Sequence, residues 1–153
     1  MTIQLTAHWP VPCQHASQCC NLGIGVINAS PLSMGLLSTR GPPDWHPARN
    51  VPTITTACQQ AAEFCTSKGV DISRLALHFS LAQADCATCL VSTASLVNAQ
   101  KNIDTVTSPL TVEEKEVLQE VKVKFMETLT NAHWEGFEVQ EYREKLENST
   151  QSS

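Results

Sequence analysis

From Gly23 onward, short apolar runs alternate with longer stretches in which apolar side chains recur every three or four residues. Ile24 to Ala29 is a short run with β-branched residues, consistent with a buried strand. The loop from Ser30 to Pro52 carries Gly41-Pro42-Pro43 and further prolines, so regular structure cannot persist there. In TITTACQQAAEFCTSKG, residues 53–69, the apolar positions Ile54, Ala57, Cys58, Ala61, Ala62 and Cys65 form one face of a helix, and Lys68-Gly69 supplies its stop. Asp71 is placed to cap a second helix that buries Ile72, Leu75, Ala76 and Phe79. CLVSTA, residues 89–94, reads as a second strand. Ser95 can cap a third helix with Leu96, Ala99, Ile103 and Val106 on one side. Thr111-Val112-Glu113-Glu114 is a capping box that opens a fourth helix, with Leu118, Val121, Phe125 and Leu129 as its buried stripe.

The ends of the chain lack this order. Residues 1–22 have no sustained period and are read as an irregular leader. Residues 143–153 are a polar tail expected to fray. Strand, loop, two helices, strand, two helices implies an α/β fold, with parallel strands crossed over by helices. Two strands do not complete a sheet, so further strands or partners are expected.

Composition narrows the function classes. The 153 residues are 42% hydrophobic and 16% charged, with a net charge of −5. Lys and Arg form no cluster, which argues against nucleic acid and against an acidic membrane surface. No apolar run approaches membrane-spanning length, and the first fifteen residues lack a basic start and an apolar core. Seven scattered cysteines without an export signal are read as free thiols in a reducing compartment, the cytoplasm.

Five groups of residues are candidates for chemistry. CQHASQCC places Cys13, His15, Cys19 and Cys20 close together, but at no recognised zinc spacing. Cys86-Ala87-Thr88-Cys89 is a C-x-x-C that leads into a strand, where redox motifs of this form begin a helix. Cys58 and Cys65, two turns apart on one helix face, read as core packing. Of the histidines at 8, 15, 46, 78 and 133, His46 and His133 each adjoin a Trp, which suggests corners where indole and imidazole pack. The strongest group is the pair of strand ends at Ser30 and Ser95. Small hydroxyl residues, exposed amides and a helix start lie there, the elements with which α/β proteins hold nucleotide phosphates at the carboxyl edge of a sheet.

From about Gly23 to Tyr142 the chain resembles the carboxyl-terminal part of aldo-keto reductases, particularly the L-galactose dehydrogenase-like branch. The residues that carry the resemblance are GVINASPLSMGLL, GPPDWHPA, KGVDISRLALHFSL, LVSTAS followed by Asn102, and NAHWEGFEV. GPPDWHPA is the most specific of them. The resemblance implies a partial (β/α)8 barrel, with Ile24 to Ala29 as the seventh strand and Cys89 to Ala94 as the eighth. It implies hydride transfer between a sugar and a nicotinamide cofactor. Ser30, Pro31, Leu32 and Gly35 match the loop along the pyrophosphate; Ser92, Thr93, Ser95, Asn98 and Asn102 match the segment that holds the adenosine half. NADP-preferring relatives place cations where this chain has Ser92 and Asn98, so NAD is expected. Lys101 stands where the family has a Glu that contacts the adenine. The family's catalytic Asp, Tyr, Lys and His come from earlier strands, and the single tyrosine here is Tyr142, in the polar end. The chain alone is therefore expected to lack turnover, to pack loosely, and to resemble a family tail joined near Leu22 to an unrelated leader, as an alternative start would give. The competing expectation is a non-catalytic fragment that binds a full-length relative.

Overall fold

The computed structural model describes residues 2–4, 14–84, 86–129, 132–134, 136, 139, 142 and 143. Three short strands, β1 (Thr2–Gln4), β2 (Ile27–Ala29) and β3 (Thr88–Leu90), lie side by side in that order, all parallel. Ile27, Asn28 and Ala29 sit opposite Thr2, Ile3 and Gln4 on one side and opposite Thr88, Cys89 and Leu90 on the other. Each crossover contains helix: α1 (Gln14–Asn21) between β1 and β2, then α2 (Pro52–Ser67) and α3 (Ile72–Leu81) between β2 and β3. Helices α4 (Leu96–Thr107) and α5 (Val112–Val121) follow.

Local chemistry accounts for the helix ends. Gly69, at φ 71°, ends α2 in a Schellman motif, with the Val70 amide on the Cys65 carbonyl at 2.9 Å and the Gly69 amide on Thr66 at 3.0 Å. The Asp71 carboxylate accepts from the Ser73 amide at 2.9 Å, and Ser95 Oγ from the Asn98 amide at 3.3 Å. The capping box of α5 is complete: Thr111 donates its amide to Glu114 Oε2 at 2.9 Å and accepts the Glu114 amide at 3.2 Å.

The core lies among α2, α3, α5 and the turns around them, and α2 presents to it the face predicted from its period. Ile54, Ala57, Cys58, Ala61, Ala62 and Cys65 are all buried, against Ile72, Leu75 and Ala76 of α3 and Val117 and Val121 of α5. Burial pushes the Cys58 thiol up to about 12. It likewise pushes Cys65 to about 11, with the nearby Asp71 charge adding to the rise against a smaller opposing backbone hydrogen bond. Both thiols are inert packing groups. Arg74 fastens α3 to the junction of α4 and α5: its Nε meets Glu114 Oε1 at 2.8 Å, and a terminal nitrogen donates to the Ser108 and Pro109 carbonyls at 3.2 Å each.

Several expectations are corrected. Residues 1–22 are not wholly irregular, since they contain β1 and α1, and the strands among the described residues number three. A three-residue strand is too short to show a period, and α1, with no acidic first turn and no basic last turn, lacks the usual helix signals. The seventh-strand candidate, 24–29, is assigned as strand only over 27–29, and the eighth, 89–94, over 88–90; residues 91–95 then lead into α4. On α3, Leu77 and Ser80 are buried while Phe79 is half-buried. On α5 and the π-turn at Lys122–Met126, Val117, Val121 and Met126 are buried, with Leu118, Phe125 and Leu129 packed at the core's margin. The predicted buried side of α4 is largely exposed: Leu96 at 90%, Ile103 at 55% and Val106 at 65%. His8, Cys13 and residues 144–153 lie outside the described residues.

Candidate functional site

Because β2 and β3 are parallel and in register at Ala29 and Leu90, the loops that follow them leave from the same edge of the sheet. Two groups of predicted residues meet this edge, Ser30 to Gly35 after β2 and Ser92 to Asn102 after β3.

The first loop is held in an unusual backbone. Ser30, Ser33 and Met34 have φ of 60°, 47° and 54°, the left-handed region that costs an L-residue roughly 1–2 kcal/mol each. Gly35 follows at φ 94°, and a Cβ added there would lie 3.4 Å from the Gly41 carbonyl. Ser30 is exposed, Pro31 is buried and Leu32 packs against the core. The turn is closed by the Leu36 amide on the Ser33 carbonyl at 3.2 Å and the Leu37 amide on the Leu32 carbonyl at 3.1 Å. Ser38 Oγ donates to the Gly35 carbonyl at 2.7 Å.

The second loop ends in a helix start. Ser92 and Thr93 are exposed; Thr93 Oγ1 accepts the Ser95 amide at 3.1 Å, which sets the chain direction into α4. Asn98 is exposed on the first turn and Asn102 is half-buried one turn on. Helix starts carry amides ahead of the intrahelical ladder, at the positive end of the helix dipole. Lys101 is turned to Asp71, with Nζ 3.1 Å from Oδ2. Its charge therefore anchors α4 to the cap of α3.

Some features were not visible in the sequence. Asn28 in the middle of β2 is only 1% exposed, and neither its amide nitrogen nor its oxygen has a hydrogen-bond partner among the described residues. His46 is equally buried and touches the first loop: its Nε2 is 2.9 Å from the Ser33 carbonyl. The Trp next to it in DWHPA marks a packing corner in the sequence but gives no sign of that bond. An open groove of about 830 Å³, lined by Leu36, Arg40, Pro42, Glu63 and Thr66 among others, lies between the segment 36–42 and α2 and involves none of the residues of either loop.

The other candidate groups stay apart from this edge. Cys19 and Cys20 are free cysteines on α1, and among the described residues no three His, Cys, Asp or Glu side chains converge as a metal site would require. Cys89 lies in β3 as a free cysteine, with Cys86 just before it. Burial first, and the neighbouring Cys86 second, raise the Cys89 thiol, the reverse of an activated thiolate.

An α/β architecture with parallel strands, helical crossovers and specialised loops at the carboxyl edge is the plan of ligand-binding α/β proteins. Residues 12–123 match the Aldo/keto reductase family, and the chain belongs to that family. The match begins inside the stretch that the sequence pattern set apart as a leader. The chain is 41% identical over 113 residues to an L-galactose dehydrogenase of Arabidopsis thaliana, covering 73% of this chain and 34% of that relative. It thus spans about a third of the relative's length. Among solved structures it is similar to a glycerol dehydrogenase of Gluconobacter oxydans, with a TM-score of 0.51 at 15% identity, over 80% of this chain and 41% of that one. That likeness bears on fold alone. Together, family and fold likeness imply a (β/α)8 architecture, of which eight strands are typical; the described residues form three.

Proposed function

We propose that the chain supplies the cofactor side of an aldo-keto reductase barrel of L-galactose dehydrogenase type, whose activity is NAD-dependent oxidation of an aldose. The supporting observation is the shared edge, where two loops with small hydroxyl residues leave adjacent parallel strands in register. Ser30, Pro31, Leu32 and Gly35 would lie along the pyrophosphate. Ser92, Thr93, Ser95, Asn98 and Asn102 would hold the adenosine half beside the start of α4. A bound nicotinamide would supply the hydride acceptor. The neutral Ser92 and Asn98 and the engagement of Lys101 with Asp71 favour NAD over NADP, because a 2′-phosphate would find little compensating charge. In this assignment β2 and β3 are the seventh and eighth strands, residues 23–142 belong to the barrel and 143–153 form its polar tail.

For the chain by itself we propose cofactor binding without turnover. Tyr142 is its one tyrosine, 63% exposed near the carboxyl end, and does not fill the place of a barrel proton donor. Calorimetric titration of the purified chain with NAD and NADP, beside an assay of L-galactose oxidation, tests both parts. Binding of NAD ahead of NADP with no product is the expected result; absence of dinucleotide binding overturns the cofactor assignment, and measurable oxidation overturns the inactivity.

A second assignment draws on the exposed apolar side chains of α4 together with Leu90, 63% exposed on β3. They suit a non-catalytic fragment that pairs with a full-length relative, and co-purification of the two would support it. Among the described residues no helix is long and apolar enough to cross a membrane, and the proposed compartment is the cytoplasm.

A further inference from the structure

Buried polar side-chain atoms are as a rule hydrogen-bonded, and a histidine ring has two nitrogens to satisfy. His46 uses both on different segments. Its Nδ1 accepts the Ala48 amide at 3.0 Å, within its own 3₁₀ turn, Pro47–Asn50. A backbone amide can only donate, so Nδ1 carries no proton and the neutral ring has its hydrogen on Nε2. That hydrogen points to the Ser33 carbonyl, 2.9 Å away and thirteen residues earlier in the chain. The same carbonyl accepts the Leu36 amide, so the bond from His46 occupies its second lone pair. Trp134 meets the ring edge-on at a centroid distance of 5.2 Å, and Trp45 lies nearly parallel to it at 6.2 Å. Ser33 is one of the left-handed residues of the first loop, and left-handed non-glycine backbone persists where its surroundings over-determine it.

We infer that His46 is a positioning residue: its Nε2–H holds the Ser33 carbonyl and thereby keeps the left-handed Ser33–Met34 turn in the shape that the cofactor-side loop needs. The lock is a property of the chain itself; its effect on dinucleotide affinity rests on the cofactor assignment proposed above.

Two substitutions separate the two bonds. In His46→Asn the side-chain oxygen sits near the place of Nδ1 and can still cap Ala48, but nothing reaches Ser33. In His46→Gln the longer amide can donate to Ser33 while the cap is lost. Hydrogen exchange of the full chain should show the Leu36 and Leu37 amides opening about tenfold faster in His46→Asn, as expected for one lost hydrogen bond. The same amides should stay within about threefold of wild type in His46→Gln, and the Leu75 amide in the core should be unchanged in both. Equal acceleration in the two variants, or acceleration spread to Leu75, would reduce His46 to packing and overturn the lock. If His46→Asn fails to fold, ring ¹⁵N shifts of the wild-type protein decide: an Nε2–H tautomer supports the lock, and an Nδ1–H tautomer removes it. Titration with NAD should show about tenfold weaker binding in His46→Asn and near-normal binding in His46→Gln. A wild-type chain that takes up no NAD while keeping the exchange pattern would sink the cofactor assignment and leave the lock standing.

Discussion

Helices α2 and α4 carry apolar side chains at the same helical spacing, yet their surroundings are opposite. On α2, Ile54, Ala61 and Cys65 are fully buried. On α4, Leu96 is almost fully exposed, and the buried residue is Thr105, whose hydroxyl donates to the Lys101 carbonyl at 2.8 Å. A helical period shows that one side of a helix is apolar; it does not say that another element will cover that side. For α2 the cover is α3 and α5. α4 is attached to the same body through polar groups, Lys101 to Asp71 and Arg74 around Thr105, Ser108 and Pro109. One helix is held by its apolar side and the other by its polar side.

The sharpest way to break this comparison is to cut into the α2–α3 core. Leu75 has no exposure, and Leu75→Ala should destabilise the chain by about 2–5 kcal/mol in urea unfolding, from lost burial and the cavity left behind. A loss below about 1 kcal/mol would mean that this core is not tightly packed, as sequence considerations expect of an incomplete barrel. Arg74→Met ranks next. It leaves Glu114, with a side chain only 16% exposed, without its cation, and deprives two carbonyls of a donor. The expected loss is about 2 kcal/mol by the same measurement. Glu114→Gln should cost less, because the remaining carbonyl oxygen can still accept from one of the two donors, Arg74 Nε or the Thr111 amide.

The same contrast explains what could be read from the sequence. The α2 face was legible residue for residue because its period, its stop at Gly69 and the next cap at Asp71 agree with one another. The Thr111 and Ser95 caps were legible for the same reason, since capping is settled within four residues. Strand β1 and helix α1 were missed: three residues have no period, and QHASQCCN has little apolar content. The proposed cofactor-side residues came from resemblance, and the parallel register brings the two loops that carry them to one edge. The left-handed Ser33–Met34 pair and its bond from His46 were illegible. Neither Ser nor Met advertises a positive φ, and no sequence spacing marks a contact between residues 33 and 46.

Asp71 joins the two helices of the comparison, since it caps α3 and receives Lys101 of α4. Burial by itself would raise its pKa, but the hydrogen bonds from Lys101 and Ser73 and the Lys101 charge outweigh it, and the carboxyl is held below its ordinary value of 3.8. A folded pKa below the unfolded one means that the contribution is present above about pH 4 and disappears as pH falls through the folded value. Asp71→Ala should cost about 1 kcal/mol near neutrality through the lost cap. Asp71→Asn keeps a capping oxygen, so its main signature should be a flatter acid limb in stability plotted against pH. An acid limb identical to wild type would show that α4 is not tied to α3 by this charge.

The smallest expected effect is the most informative about what α4 is for. Replacing Leu96 and Ile103 by Ser removes two large apolar side chains, which in α2 would be ruinous. On α4 both project into solvent, and the double variant should unfold within about 0.5 kcal/mol of wild type in dilute solution. What should change is association, because exposed apolar patches drive self-contact or partner binding. Sedimentation at rising concentration should show the serine variant remaining monomeric where wild type does not. A stability loss of about 2 kcal/mol or more at low concentration would instead mean that these side chains are already covered within the single chain, and the contrast between the helices would fail. Unchanged stability with unchanged association would leave the helices different in surroundings but remove the exposed face as a reason for pairing with a relative.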